Sequence, residues 1–444
     1  MQVLVVGLRA TGAAVVEWLT AAGHEVTVVE EQPGQPAYDE RRADAIARGA
    51  TVLEGAPDWE ALVASADLVV PSPGVHPEHP VMTAARTLRV PVRGDLDLAV
   101  EAATVPVVAV TGTNGKSTVT SLVTAMLERS GVHALAVGNI GRVVLDALAE
   151  PADVLVVEAS SFQLHTVTPA FAPDVAVLLN LADDHLDWHG SFDAYVADKM
   201  HVFAYQRPDA LLVANRDDPV VVRAVRDAAA RVAWCTLDAP ARGVAGWRGD
   251  TLVADDGTDL LTIAGPYAPH DRANIAAAAL AARALGARPD AMSAAVGAFV
   301  RLHHRTEPVG KAGGVVFVDD SKATNPHATA AAVQGYPSVV LLAGGLSKGV
   351  DLGALTTVRD HLRAVVAIGG TPEEVEAAFA GSVPTVRADS MRTAVRTAAE
   401  LAEPGDVVLL SPACASFDWY DGYAARGDDF RREVEALIEE TTIS

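Results

Sequence analysis

One stretch limits what this chain can become: Thr111-Gly112-Thr113-Asn114-Gly115-Lys116-Ser117-Thr118. The apolar run Val107 to Val110 ahead of it reads as a buried parallel strand. After it, Val119, Leu122, Val123, Met126 and Leu127 recur at helical spacing, and Gly131 supplies a stop. The stretch is therefore a strand–loop–helix turn. Two glycines let the backbone curl with its N–H groups inward, and the helix N-terminus adds partial positive charge. Together these make a phosphate cradle. Lys116 is placed to reach terminal phosphates, and the Ser117 or Thr118 hydroxyl to hold Mg²⁺. The plainer alternative is a Gly-rich turn with an exposed lysine. A strict P-loop carries glycine six residues before the lysine; this chain has Val110 there, so the loop is a variant.

At 444 residues, the length prior is about three domains. Apolar runs alternate repeatedly with Ala-rich helical stretches, which predicts an α/β fold. Lys and Arg total 34 against 57 Asp and Glu, a net charge of −23 that argues against a nucleic-acid-binding face. The simplest use of that acidity is solubility. Only Cys235 and Cys414 occur, without metal-site spacing or a disulfide framework, so a reducing cytoplasm is expected. The N-terminus runs straight into a strand, with no signal-peptide pattern, and no apolar run is long enough to span a bilayer.

The chain reads as three segments. In the first, 1–103, a strand at Val3 to Val6 leads into Gly7-Leu8-Arg9-Ala10-Thr11-Gly12 and a helix from Ala13 to Ala22; a second strand ends in Glu30-Glu31. This nearly matches a dinucleotide fingerprint, but Arg9 replaces the glycine that allows the closest pyrophosphate approach, which argues against a dehydrogenase. A nucleotide or diphosphate at this helix N-terminus is the expected ligand. The alternative is that Gly7 and Gly12 only permit tight packing. A strand at Asp67 to Val70 leads into Pro71-Ser72-Pro73-Gly74, and Leu96 to Val105 read as a helix end and linker.

In the second segment, 104–302, Val137-Gly138-Asn139-Ile140-Gly141 follows the phosphate loop. The strand Val154 to Val157 ends in Glu158. A carboxylate closing a hydrophobic strand beside a P-loop suits a Mg²⁺ ligand, although a lone acid there is often just solvated. Asn180 to His185 follows another strand, and His185 on its own reads as a polar loop residue. Lys199, in a later helix, reads as a surface lysine. Arg231 to Ile263 holds short strand-like runs without obvious chemistry. Asn274, opening an alanine-rich helix that reaches Gly286, either caps it or faces a nucleotide.

In the third segment, 303–444, the βα rhythm restarts. Strands at 315–318, 339–342, 364–368 and 407–410 end in Asp319-Asp320-Ser321-Lys322, Gly344-Gly345-Leu346-Ser347-Lys348, Gly369-Gly370 and Ser411-Pro412. In a parallel sheet these ends share one edge, so Lys322, Lys348 and Ser416 are expected to converge on an anionic substrate. Arg305 at the junction serves either a γ-phosphate or a salt bridge between domains.

The phosphate loop, Glu158-Ala-Ser-Ser-Phe-Gln-Leu, Asn180 to His185, His304-Arg305 and Asp319-Asp-Ser-Lys-Ala-Thr-Asn-Pro326 together resemble the Mur ligases of peptidoglycan synthesis, over the whole chain and in order. Asp319 to Asn325 and Ser411-Pro-Ala-Cys-Ala-Ser416 look like the members that add D-glutamate to UDP-N-acetylmuramoyl-L-alanine. The resemblance implies a Rossmann-like N-terminal domain for the UDP-substrate, a central P-loop ATPase-type domain and a Rossmann-like C-terminal domain for the amino acid. It implies ATP-dependent amide formation through an acyl phosphate, with release of ADP and phosphate. Lys116, His185, Lys199 and Lys322 are then the catalytic candidates. Gly112, Thr113, Asn114, Gly115, Lys116, Ser117, Thr118, Asn274, Arg305 and Asp320 fall on ATP. Thr11, Glu30, Glu31, Ser72, Asn139 and His185 fall on the UDP-substrate, and Lys322, Thr324, Lys348, Ser416 and Tyr423 on D-glutamate. Ser117, Glu158, His185 and Lys199 match metal positions for two Mg²⁺ ions, Lys199 as a carbamate formed with CO₂.

Two departures stand out. Glu30-Glu31 occupies a place where the family carries Asp-Thr, and Tyr423 a place often held by phenylalanine. The resemblance also implies a cytoplasmic monomer acting on small molecules, with no nucleic acid and no membrane insertion. The alternatives are a sibling ligase with another amino acid, a folylpolyglutamate synthetase-like ligase, or a non-catalytic nucleotide sensor. A sensor would need neither Glu158 with His185 nor the second crevice.

Overall fold

The computed structural model of the chain describes residues 1–265, 267–299, 303–347 and 349–443. The chain divides into two compact units. One comprises Met1–Leu181, Val196–Gly265 and Ala273–Ala298; the other comprises Ala182–Tyr195, Pro266–Arg272 and Phe299–Ser444.

The first unit holds two sheets. A parallel four-stranded sheet runs Thr51–Glu54, Glu25–Glu30, Gln2–Val6, Leu68–Pro71. The helix after its first strand spans Ala10–Ala21, three residues earlier than the apolar spacing predicts, because Thr11 and Gly12 already lie in its first turn. The second sheet has nine strands. At its centre Val107–Thr111 lies between Val154–Glu158 and Val175–Leu178, parallel to both. All five of its residues are buried, including Val110. Val110 is therefore a strand residue packed on both faces, where glycine would weaken the strand. The helix Lys116–Arg129 then buries Val119, Leu122, Val123, Met126 and Leu127, the stripe that the spacing predicts.

One sequence expectation in this unit needs correction, and another, the strand-like runs of Arg231–Ile263, is borne out. The stretch read as a helix end and linker contains a complete helix, Asp95–Ala102, packed on the helices Val144–Ala147 and Ser161–Leu164. The chemically silent Arg231–Ile263 region supplies four strands. Arg231–Cys235 and Val244–Arg248 extend the parallel sheet, and Thr251–Val253 and Asp259–Thr262 are added antiparallel at its edge.

The second unit carries a six-stranded sheet ordered Glu307–Ala312, Val315–Asp319, Val407–Leu410, Val339–Gly344, Leu362–Ile368, Thr385–Arg387. All neighbours are parallel except the first pair, an antiparallel edge that the βα rhythm does not announce. Both faces are covered. Val339, Leu341 and Ala343 pack with Phe379, and Val340 and Leu342 with Phe430. This doubly covered parallel sheet explains the near-continuous apolar strands. No helix among the described residues is long and apolar enough to cross a membrane.

Candidate functional site

The phosphate loop is built by its neighbours as much as by its glycines. Gly112 has φ +156° and Gly115 φ +89°, and a Cβ on Gly115 would lie 2.4 Å from Asn274 Oδ1. Asn274 is therefore packed against the loop. It lies inside the helix Pro269–Ala284 and is not that helix's cap. Two loop amides are turned toward Asn180: Thr113 N donates to its carbonyl at 2.8 Å and Asn114 N to its Oδ1 at 2.8 Å, while Asn180 Nδ2 donates to Asn114 O at 3.0 Å. The cradle thus rests less on these two amides than the sequence reading supposes. It rests more on the first turn and dipole of the helix that starts at Lys116. Ser117 and Thr113 are buried there; Thr118 and Asn114 are half-buried. Lys116 Nζ donates to Gly112 O at 2.9 Å and Thr113 O at 2.8 Å, which folds the ammonium over its own loop.

Lys199 is not a surface residue. On the helix Phe192–Ala204 it is 1% exposed, and its Nζ donates to Gly112 O at 2.8 Å and approaches Thr111 Oγ1 at 3.5 Å. Burying a lysine is costly without hydrogen-bond partners, and here loop oxygens supply them.

Glu158 ends its strand fully inside the sheet edge. Asn139 Nδ2 donates to its Oε1 at 2.9 Å, and Asn139 N donates to its backbone carbonyl at 2.9 Å. Oε2 is buried and accepts no hydrogen bond. An orphaned carboxylate oxygen is expensive unless a cation meets it, so the donor set fits Mg²⁺. No group of three acid, His or Cys side chains that could hold a metal occurs among the described residues.

In the small sheet, Glu30 is engaged by backbone: its Oε2 accepts Leu8 N at 2.7 Å and its Oε1 accepts Gln32 N at 2.9 Å. Glu31 instead faces outward and pairs with His79 Nε2 at 2.9 Å. Ser72 Oγ lies 2.6 Å from where a Gly7 Cβ would be, and a Gly12 Cβ would lie 1.9 Å from Gly7 O. Both glycines are therefore required by packing, whatever else the turn binds. Thr11 is half-buried in the first turn of the following helix.

In the second unit, His185 has φ +53° at the start of the helix Leu186–His189, and its Nε2 lies 3.6 Å from Asp184 Oδ2. Asn325 Nδ2 donates to that same oxygen at 3.4 Å. Lys199 belongs to the first unit and His185 to the second. His304, Arg305 and Thr306 form a tight corner in which His304 and Thr306 have φ +62° and +42°. His304 Nδ1 lies 2.7 Å from Asp319 Oδ2, and Thr306 N donates to Asp320 Oδ1 at 3.1 Å. Burial pushes the Asp320 carboxyl up to about 7, against the hydrogen bond from Ser411 and the pull of the Arg305 guanidinium.

The Asp319–Lys322 and Ser411–Ser416 segments do converge. Ser411 Oγ donates to Asp320 Oδ2 at 2.8 Å, and the buried Arg426 donates to Ser321 Oγ, Ser321 O and Cys414 O at 2.9, 2.8 and 3.1 Å. Lys322 Nζ lies 5.3 Å from the Tyr423 ring centroid, and Ser321 Oγ donates to Tyr423 O at 2.8 Å. Ser416 is buried and Thr324 half-buried beside them in sequence. Lys348, expected here, lies outside the described residues, as does the expected boundary at 302. Neither Arg426 nor Asn180 carries a sequence signal for a site role. A lone arginine in a C-terminal helix carries no motif, and the asparagine's partner lies 66 residues away.

A strand–loop–helix turn of phosphate-loop pattern on one α/β sheet, with a polar cluster at the strand ends of another, marks a P-loop protein of multi-sheet α/β class. Three family models cover most of the chain: Mur ligase MurD-like, N-terminal domain at residues 1–94, Mur ligase middle domain at 110–278, and Mur ligase, glutamate ligase domain at 304–414. The chain belongs to the Mur ligase family. A UDP-N-acetylmuramoylalanine–D-glutamate ligase of Desulfosudis oleivorans is 43% identical, covering 99% of this chain and 97% of the relative. One of the same name from Thermobifida fusca is 42% identical, covering 98% of each. Among solved structures, a pseudomurein peptide ligase type C from Methanothermus fervidus matches 98% of this chain and 99% of its own at TM-score 0.62 and 17% identity. The MurF ligase of Thermotoga maritima, in complex with ADP, matches 94% and 95% at TM-score 0.62 and 18% identity. At those identities the structural matches establish the fold.

Proposed function

We propose that this chain is an ATP-dependent amide ligase joining D-glutamate to the L-alanine carboxylate of UDP-N-acetylmuramoyl-L-alanine. The observation that carries the reading is the end-to-end match to relatives of that name at 42–43% identity. The expected domain limits are 1–103, 104–302 and 303–444.

The chemistry is a two-step substitution. A carboxylate oxygen of the substrate attacks the γ-phosphorus of ATP, the bond to the bridging oxygen breaks, and ADP leaves. The amine of D-glutamate then attacks the acyl carbon. The tetrahedral intermediate expels phosphate, and the amine gives up a proton. Two anions must meet in the first step, so the protein's main task is to neutralise and align charge.

Lys116 and the amides of its helix turn are assigned to the phosphates, with Asn274, Arg305 and Asp320 on the same nucleotide. Ser117 and Glu158 are assigned to one Mg²⁺, and the orphaned Glu158 Oε2 supports this. His185 and Lys199, the latter as a carbamate, are assigned to a second. Bound there, Mg²⁺ would neutralise the phosphate oxygens. Lys322, Thr324, Lys348, Ser416 and Tyr423 are assigned to D-glutamate. Asn139, Thr11, Ser72 and Glu31 are assigned to the UDP-substrate, with Glu30 bracing their loop.

Purified protein is expected to release one phosphate per amide formed, and only with UDP-N-acetylmuramoyl-L-alanine, D-glutamate, ATP and Mg²⁺ all present. Equal turnover with L-alanine or L-lysine as the amine overturns the assignment.

A further inference from the structure

The helix Asp95–Ala102 carries none of the roles assigned above, yet it buries two carboxylates, Asp95 at 3% exposure and Asp97 at 0%. A buried carboxylate is retained only where hydrogen bonds or charges compensate it. Asp97 closes the corner: both its oxygens accept Thr168 N, at 2.9 and 3.0 Å, and Arg93 Nε lies 3.6 Å away. The corner is tight, since a Cβ on Gly94 would lie 2.5 Å from Thr166 Oγ1.

Asp95 does something different. Its Oδ2 accepts a hydrogen bond from Gln163 Nε2 at 2.9 Å. The other end of that amide is also fixed: Gln163 Oε1 accepts Ser160 N at 3.2 Å and Ser160 Oγ at 3.1 Å, while Gln163 N donates to Ser160 Oγ at 3.2 Å. An amide can point either way round. A carboxylate on one side, able only to accept, decides which way this one points. It leaves Oε1 to receive the Ser160 N–H.

The turn held in this way begins one residue after Glu158. Ala159 N donates to Val110 O at 2.9 Å, and Thr111 Oγ1 donates to Ala159 O at 2.8 Å. Thr111 Oγ1 is in turn 3.5 Å from Lys199 Nζ, which donates to Gly112 O at 2.8 Å. Polar contacts and the short Ser160–Ala159 backbone link Asp95 to the carboxylate at the strand end and to the first glycine of the phosphate loop.

We propose that Asp95 is a positioning residue, which orients the Gln163 amide and through it fixes the Ala159–Ser160 turn that sets Glu158 and the Thr111–Gly112 end of the phosphate loop. The proposal rests on the ligase reading for one assay only. The other assay, ATP affinity as a function of Mg²⁺ concentration, requires no turnover.

Asp95→Ala and Gln163→Met are each expected to lower kcat by about 10- to 100-fold. Each is also expected to raise the Mg²⁺ concentration giving half-maximal ATP binding by about tenfold. Asp95→Asn still offers an oxygen to Gln163 Nε2 and is expected to stay within about threefold of the parent in both assays. The double variant Asp95→Ala/Gln163→Met is expected to be no worse than either single one, because both break the same link. If the Ala and Met variants lower only the melting temperature and keep the parent's kcat and Mg²⁺ midpoint, the helix is merely structural and the proposal is overturned. Multiplicative losses in the double variant overturn it as well. Gln163→Met keeps the Asp95 carboxylate and much of the buried volume, so it decides the matter if Asp95→Ala does not fold. A parent protein that binds Mg²⁺ and ATP but makes no amide contradicts the ligase reading, and the binding assay then still tests Asp95.

Discussion

Lys116→Ala is expected to lower kcat/KM for ATP by about a thousandfold or more while leaving the fold intact. The ammonium sits on the phosphate loop, where it donates to the Gly112 and Thr113 carbonyls at 2.9 and 2.8 Å. Those bonds are local and half-exposed, so their loss costs little stability, about 1 kcal/mol. The loss of a cation facing a polyanionic transition state costs far more, because low-dielectric surroundings magnify the interaction. Steady-state kinetics paired with a thermal melt checks both halves. An activity loss below about tenfold contradicts the assignment of this loop to the reacting phosphates.

Lys199→Ala is the second large effect, and it has two components. The side chain is fully buried, so truncation leaves a cavity and strips hydrogen bonds from Gly112 O and Thr111 Oγ1. A stability loss of about 2–4 kcal/mol follows, readable as a lower denaturation midpoint. Activity is expected to fall by about a thousandfold. Chemical rescue separates the two roles that Lys199 can play. If its function is a carbamate that holds a metal, formate, acetate or propionate restores part of the activity. If its function is the ammonium that anchors Gly112, methylamine or ethylamine restores it and the carboxylates do not. The carbamate account predicts the first pattern, and the second contradicts it.

The phosphate loop is legible in the sequence because several independent signals coincide there: an apolar strand, two glycines in conformations that need them, and a helical stripe. The strand ends of the C-terminal sheet are legible for a similar reason, since parallel strands place their C-terminal ends on one edge. What escapes reading is burial that runs against residue type. Lysine is almost always exposed, and nothing local to Lys199 announces that its partner is a loop carbonyl 87 residues back. The helix Asp95–Ala102 is hidden in the same way, because its opening Asp-Leu-Asp-Leu alternates acid with apolar and breaks the helical stripe. Both acids turn out to be buried, held by Gln163 and Thr168. The acid after the second strand is a mixed case. Glu30 matches the position of a ribose-binding acid, yet both its oxygens serve backbone amides, and Glu31 faces outward. The antiparallel edges at Val244–Thr262 and Glu307–Ala312 are set by pairing partners that no single-strand pattern can name.

If this phosphate loop serves to activate a carboxylate, an oxygen of that carboxylate must end in the released phosphate, and isotope transfer reads this. UDP-N-acetylmuramoyl-L-alanine labelled with ¹⁸O in the alanine carboxylate is incubated with ATP, Mg²⁺ and D-glutamate, and the released phosphate is analysed by mass spectrometry. Each turnover is predicted to deliver one ¹⁸O into phosphate and leave the other in the amide carbonyl. Phosphate released without label, with both ¹⁸O atoms still in the unreacted carboxylate, contradicts the account and reduces the protein to a nucleotide hydrolase.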